Sequence, residues 1–258
     1  MRIHLTLTAA LTLLLVSTQP AQAGFRATLK NYGTAGAFPG LIEQGEYVVR
    51  IDWTQSQLNS QGQAAPHVPW IAGDFFSFCI ERTQDVYFGR TYDYTTQVLE
   101  KSPDPGTTGM GSAKANQIRR LWAIVINGDG DAGVNQLNPT DAATRNKRNA
   151  AFQQAIWFIV DESYRSNTKY TQSSVKSLVD DYVVKSKTPG KTANLVALTG
   201  KTFQDQVVEV GPGYYVDPNG TVVPTPVPPV LVLAVTGIVP LLGLCRYFRS
   251  GNLLSQAC

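Results

Sequence analysis

Apolar and polar positions alternate with period two through Phe25-Arg26-Ala27-Thr28-Leu29 and again through Tyr47-Val48-Val49-Arg50-Ile51-Asp52-Trp53. Each run predicts a strand, and the Gly33 to Gly40 segment between them reads as a loop. A polar connection from Ser56 to Pro69 leads to a third strand, Phe75 to Glu81. Because successive side chains point to opposite faces, Phe76, Phe78 and Ile80 share one side, and Phe75, Ser77, Cys79 and Glu81 share the other. The second side is the more mixed, which turns Cys79 toward a groove. Val86-Tyr87-Phe88 and Thr91 to Thr95, joined through Gly89, are expected to continue the sheet.

After Pro103-Asp104-Pro105-Gly106 the period changes. Ile118, Leu121, Trp122 and Val125 recur at helical spacing, with Ser112 as the expected N-cap. A Gly/Asp/Asn loop, Asn127 to Asn138, separates this helix from a second one predicted from Asp141 to Tyr164. Its main apolar stripe is Phe152, Ala155, Ile156 and Ile159. Gln153 falls on an adjoining stripe with Trp157 and Val160, at the edge of the buried face, and Gln154 lies one step further round. A third helix, capped near Ser173, carries Val175, Leu178, Val179 and Tyr182. Strand character returns between Thr202 and Val216. Strands, three helices and strands again define an α+β fold, a sheet or barrel core with a three-helix insertion.

The two ends carry different signals. Arg2, the apolar run Leu5 to Val16 and Ala21-Gln22-Ala23 form a secretory signal peptide over residues 1–23, which places the mature start at Gly24. The α+β domain is then assigned to 24–216 and a proline-rich linker to 217–229. A hydrophobic span and basic tail follow over 230–258. In that tail the extended spacer Pro224-Thr225-Pro226-Val227-Pro228-Pro229 precedes an apolar stretch, Val230 to Cys245, and then Arg246-Tyr247-Phe248-Arg249. This order is similar to the PEP-CTERM sorting signal of Gram-negative bacteria. The resemblance implies an exosortase-type processing enzyme as partner, at least transient anchoring in the inner membrane, and a destination at the cell surface or in the extracellular matrix. Thr225 stands where that signal usually has an acidic residue, and Ser250 to Cys258 extend beyond Arg249. A plain C-terminal membrane anchor is the competing reading.

Charge removes one class of function. Charged residues make up 16% of the chain, and the net +3 disappears when Arg2, Arg246 and Arg249 of the two ends are set aside. A domain without basic excess has no electrostatic footprint for nucleic acid. Cysteine usage is more informative. Of three cysteines, Cys245 and Cys258 belong to the tail, so Cys79 is alone in the exported domain, where paired cysteines or none are the rule.

The short stretch Phe78-Cys79-Ile80-Glu81, followed by Gln153-Gln154-Ala155-Ile156-Trp157, resembles the paired motif of bacterial thioester domains, best known from Gram-positive surface adhesins. The resemblance covers the chain well from about Gly73 to Glu162 and the remainder in outline. It implies an internal thioester between Cys79 and Gln153, supported by Phe78, Ile80, Glu81, Ala155, Ile156 and Trp157. Such a bond stores an electrophile for one reaction with a surface amine, a protein lysine, on a target or matrix component. It needs no cofactor and is not enzymatic turnover. The chemistry requires thiolate character, near-attack placement and exclusion of water. An inert Cys/Gln core pair in a noncovalent matrix protein is the alternative.

Other constellations are weaker. His67 is the one histidine outside the leader, so a Cys79–His67 hydrolase is conceivable, but no signature surrounds either residue. Asn127-Gly128-Asp129-Gly130-Asp131 has alternating oxygen ligands like a calcium loop. Ala132 replaces the required glycine and Asn138 the bidentate glutamate, so an Asx/Gly turn is the better reading.

Overall fold

The computed structural model describes residues 25–31, 51–55, 68–81, 84–87, 89–103, 108–129, 135–161 and 173–226. The signal peptide, the Gly33 to Gly40 loop, His67, Asp131 and the segment 230–258 lie outside them. Among the described residues no helix is long and apolar enough to cross a membrane.

Six antiparallel strands close a barrel. They are β1 (Phe25–Asn31), β2 (Ile51–Gln55), β3 (Asp74–Cys79), β4 (Thr91–Gln97), β5 (Leu195–Thr199) and β6 (Gln206–Glu209), in the spatial order β1-β2-β3-β6-β5-β4. Three helices, α1 (Gly111–Val125), α2 (Ala142–Val160) and α3 (Ser173–Ser186), enter the chain between β4 and β5. The fold is therefore α+β, a barrel with a helical insertion. A separate hairpin, β7 (Tyr214–Val216) with β8 (Val222–Pro224), follows, so regular pairing continues into the stretch read as linker.

The barrel follows from alternation. In β4, Tyr92, Tyr94 and Thr96 are buried, while Thr91, Asp93 and Thr95 face outward. Trp53 occupies the interior, edge-on to Tyr92 and Tyr94 at 5.9 and 5.5 Å and stacked on Phe75 at 6.4 Å. Its indole N–H donates to Ser77 Oγ at 2.7 Å, which satisfies the one polar atom that burial would otherwise penalise.

The outer face of β3 carries the helices. Phe76 stacks on Trp122 of α1 at 5.8 Å, and Phe78 meets Phe152 of α2 at 4.6 Å. Phe152 also touches Trp122 and Tyr182 of α3, at 5.8 and 6.3 Å, so one ring ties all three helices to one strand. The Asp141 carboxylate caps α2 by accepting from the Thr144 N–H at 2.6 Å. At the other end Lys114 Nζ donates to the Val160 carbonyl at 2.9 Å, and Asp161 is already extended. This helix thus stops short of the expected Tyr164.

Other boundaries also differ from expectation. Helix α1 starts at Gly111 with Met110 in the cap position, and Ser112 lies inside the first turn. Val86 and Tyr87 form no strand, because the Tyr87 N–H donates to the Tyr92 hydroxyl at 2.6 Å instead of to a neighbouring strand. Strand β5 was invisible to period-two reading for a physical reason: all five of its residues are buried, so no alternation exists to be read.

The barrel interior sets the stability of the whole. Leu29→Ala, which empties a fully buried site in β1, is expected to cost about 2–5 kcal/mol in urea unfolding. A loss under about 1 kcal/mol would show that the interior is not packed as described.

Candidate functional site

The aromatic contacts that fasten α2 to β3 fix the neighbour of Phe152. Gln153 is fully buried, and its carboxamide lies on the backbone of Cys79. The Cys79 N–H donates to Gln153 Oε1 at 2.8 Å, and Gln153 Nε2 donates to the Cys79 carbonyl at 2.7 Å. One acceptor and one donor thus pair with one residue of β3, as a peptide unit of an adjacent strand would. Sequence reading put Gln153 at the edge of the buried face. In fact residues 149 to 159 of α2 are all buried, Gln154 included, because the helix is enclosed by the barrel and both other helices.

The Cys79 thiol points into the barrel and not into an open groove. It is 1% exposed, among Ser77, Tyr94 and two further glutamines. Gln206 faces it directly across the β3–β6 pair. Ser77 Oγ donates to Gln206 Oε1 at 2.8 Å, which orients that amide so that Nε2 points at Cys79 Sγ, 3.4 Å away. On the other side the thiol donates to Gln204 Oε1 at 2.8 Å, and Gln204 Nε2 donates to the Glu81 carbonyl at 2.6 Å. Gln204 and Gln206 are the site residues that motif reading missed. The available signal was two amides spaced two apart at the entry to the apolar run Val207-Val208.

The other motif residues are structural. Phe78, Ile80, Ala155, Ile156 and Trp157 are all buried, and they shut water out around the pair. Glu81 is buried as well, next to the thiol's strand end. Burial pushes the thiol up to about 12, opposed by the Gln206 hydrogen bond and reinforced by the charges of Asp85 and Glu81. Near neutral pH the thiol is therefore held in its protonated form. A protonated thiol is a weak nucleophile.

His67 lies outside the described residues. In the Asn127 loop, the Arg120 guanidinium binds the Asp129 carboxylate and holds it below the usual carboxylate range, while Asn127 Nδ2 donates to Glu209 at 2.6 Å. Among the described residues no group of three His, Cys, Asp or Glu side chains could hold a metal ion.

The chain matches no protein-family model and no curated protein. Solved structures similar to it include the N-terminal domain of the Streptococcus pyogenes pilus tip adhesin Cpa. That match has 14% identity and a TM-score of 0.41, covering 76% of this chain and 97% of that one. The P1 form of the pilus-presented adhesin Spy0125 (Cpa) aligns at 13% identity and a TM-score of 0.40, over 79% of this chain and 65% of that one. A cysteine-to-alanine mutant of the same adhesin aligns at 12% identity and a TM-score of 0.35, over 73% of this chain. This chain spans about half of that mutant's length, 48%.

A raised thiol pKa has a sign that can be checked. A cysteine that ionises near 9.0 when unfolded and near 12 when folded binds its proton more tightly in the fold. The stabilisation is complete below pH 9.0 and is lost as pH rises toward about 12. In the free-thiol form, the urea midpoint should fall with rising pH across that window more steeply than in Cys79→Ala. Parallel curves would contradict the buried, protonated thiol.

Proposed function

We propose that this is an exported surface protein whose barrel-and-helix domain forms an internal thioester between Cys79 and Gln153 for one covalent attachment to a target amine. The observation that carries this reading is the two-point contact between the Gln153 carboxamide and the residue that bears the thiol. The steps balance without a cofactor. Sγ bonds to the Gln153 side-chain carbonyl carbon, the C–N bond breaks, and ammonia leaves with the thiol proton. A lysine amine on a target protein or matrix component then attacks the same carbon. A C–N bond forms, the C–S bond breaks, and the thiol recovers a proton, leaving an isopeptide-like link. Under this reading the protein is adhesin-like and not an enzyme. The C-terminal segment serves as its sorting or anchoring device at the surface of a Gram-negative cell, with exosortase-type processing.

A second reading is favoured by one observation, the thiol pushed up to about 12. In that reading Gln153 is a structural amide paired with the Cys79 backbone, and the protein is a noncovalent surface or matrix component.

Intact mass decides between them. The purified protein is expected to be short by one ammonia, to gain methylamine on incubation, and to show neither property as Cys79→Ala or Gln153→Ala. Gln206→Ala and Gln204→Ala, which alter the other amides at the sulfur, should keep the ammonia deficit. A full mass with a titratable thiol in the native fold would leave the second reading.

A further inference from the structure

Three carboxamides surround the Cys79 residue, and they differ in burial. Gln153 and Gln206 are completely enclosed, whereas Gln204 is partly exposed. Of the three, Gln204 is therefore the amide that reaches solvent. It is carried on the turn between β5 and β6, and that turn is pinned on both sides of it. Phe203 packs on Tyr92 and Tyr94, each at 4.9 Å, and the buried Asp205 accepts from the Gly200 N–H at 3.1 Å. A Cβ at Gly200 would stand 2.0 Å from the Phe203 ring, so the turn closes tightly only with glycine there. With the turn held, the part free to move is the Gln204 side chain.

We infer that Gln204 is a positioning residue that latches the site, its carboxamide bridging Cys79 Sγ and the Glu81 carbonyl until it swings aside to admit a nucleophile. Its two hydrogen bonds, 2.8 Å to the thiol and 2.6 Å to the carbonyl, use both ends of the amide, so one rotation releases both. As an acceptor it also favours the protonated thiol, whereas Gln206 Nε2 donates to the sulfur and favours the thiolate. The two glutamines act on the sulfur in opposite directions. The ionisable groups that face Cys79 are Asp85, Glu81 and Tyr94, and the substitutions at Gln204 leave all three side chains in place. The latch over an acyl group rests on the thioester reading, but the latch over a free thiol does not, so the two can fail separately.

The experiment compares the whole protein with Gln204→Ala and Gln204→Asn, the second keeping an amide too short to bridge. Methylamine addition is timed if the wild-type mass lacks an ammonia, and iodoacetamide alkylation of Cys79 if it does not. In either form both variants should react about tenfold faster or more: the free thiol loses its bond to Gln204 Oε1, and the thioester, whose sulfur has no proton to donate, is uncovered by loss of the bond from Nε2 to the Glu81 carbonyl. Their urea midpoints should fall too little for global unfolding to account for the faster reaction. For the free thiol, the midpoint of the rate against pH should move down toward the ordinary cysteine value. Unchanged rates in both variants would overturn the latch. So would acceleration that merely tracks a loss of global stability.

Discussion

The two hydrogen bonds between the Gln153 carboxamide and the Cys79 backbone join the helical insertion to the barrel at one residue. They form in a place where neither group could turn to water instead, since Gln153 and Cys79 are both buried. A buried primary amide left unpaired costs about 1–3 kcal/mol, so the intact carboxamide needs this pairing; loss of its nitrogen as ammonia would remove the donor together with the need to pair it. The geometry of the pairing is set by the contacts on either side of it in sequence. Phe78 and Phe152, the residues immediately before Cys79 and Gln153, lie ring to ring at 4.6 Å, and Trp122 and Tyr182 hold Phe152 from the other helices. Moving α2 along β3 would break the aromatic packing and the amide pairing together.

Inside the barrel a polar line runs from the Trp53 indole through Ser77 to Gln206 and the Cys79 sulfur. Ser77 and Cys79 share the inward face of β3, as period-two alternation requires, and Gln206 is the cross-strand partner of Cys79. The enclosure has two consequences of opposite sign. It keeps water from the buried pair, and it pushes the thiol up, which disfavours the thiolate.

Much of this arrangement was legible in the sequence. Alternation located β1, β3 and β4, and helical spacing gave the buried stripe Ile118, Leu121, Trp122 and Val125 of α1. The same spacing found Phe152, Ala155, Ile156 and Ile159 of α2. Where the text of the chain misled, burial on more than one side was the cause. Gln153 and Gln154 read as an edge and an outer position, yet α2 is enclosed all round. β5 is buried on both faces and has no alternation to show. Cys79 read as facing a groove, because a strand's polar-leaning side normally meets solvent. Here that side lines a closed barrel, and closure depends on the long-range β3–β6 pairing that no local pattern encodes. Gln204 and Gln206 were missed on the same ground, since they reach the site through that pairing and the turn beside it.

Within this account, surface attachment depends on whether the sulfur, which lies against Gln204 and Gln206, becomes bonded to the third amide, Gln153, held on the Cys79 backbone. A crystal structure of the purified protein, refined without restraint between these side chains, measures that directly. Continuous density from Cys79 Sγ to the Gln153 side-chain carbonyl carbon, with the amide nitrogen gone, is the predicted result. A separate thiol against Gln204, with the Gln153 carboxamide intact on the Cys79 backbone, or density joining Cys79 to Gln206 instead, would contradict it.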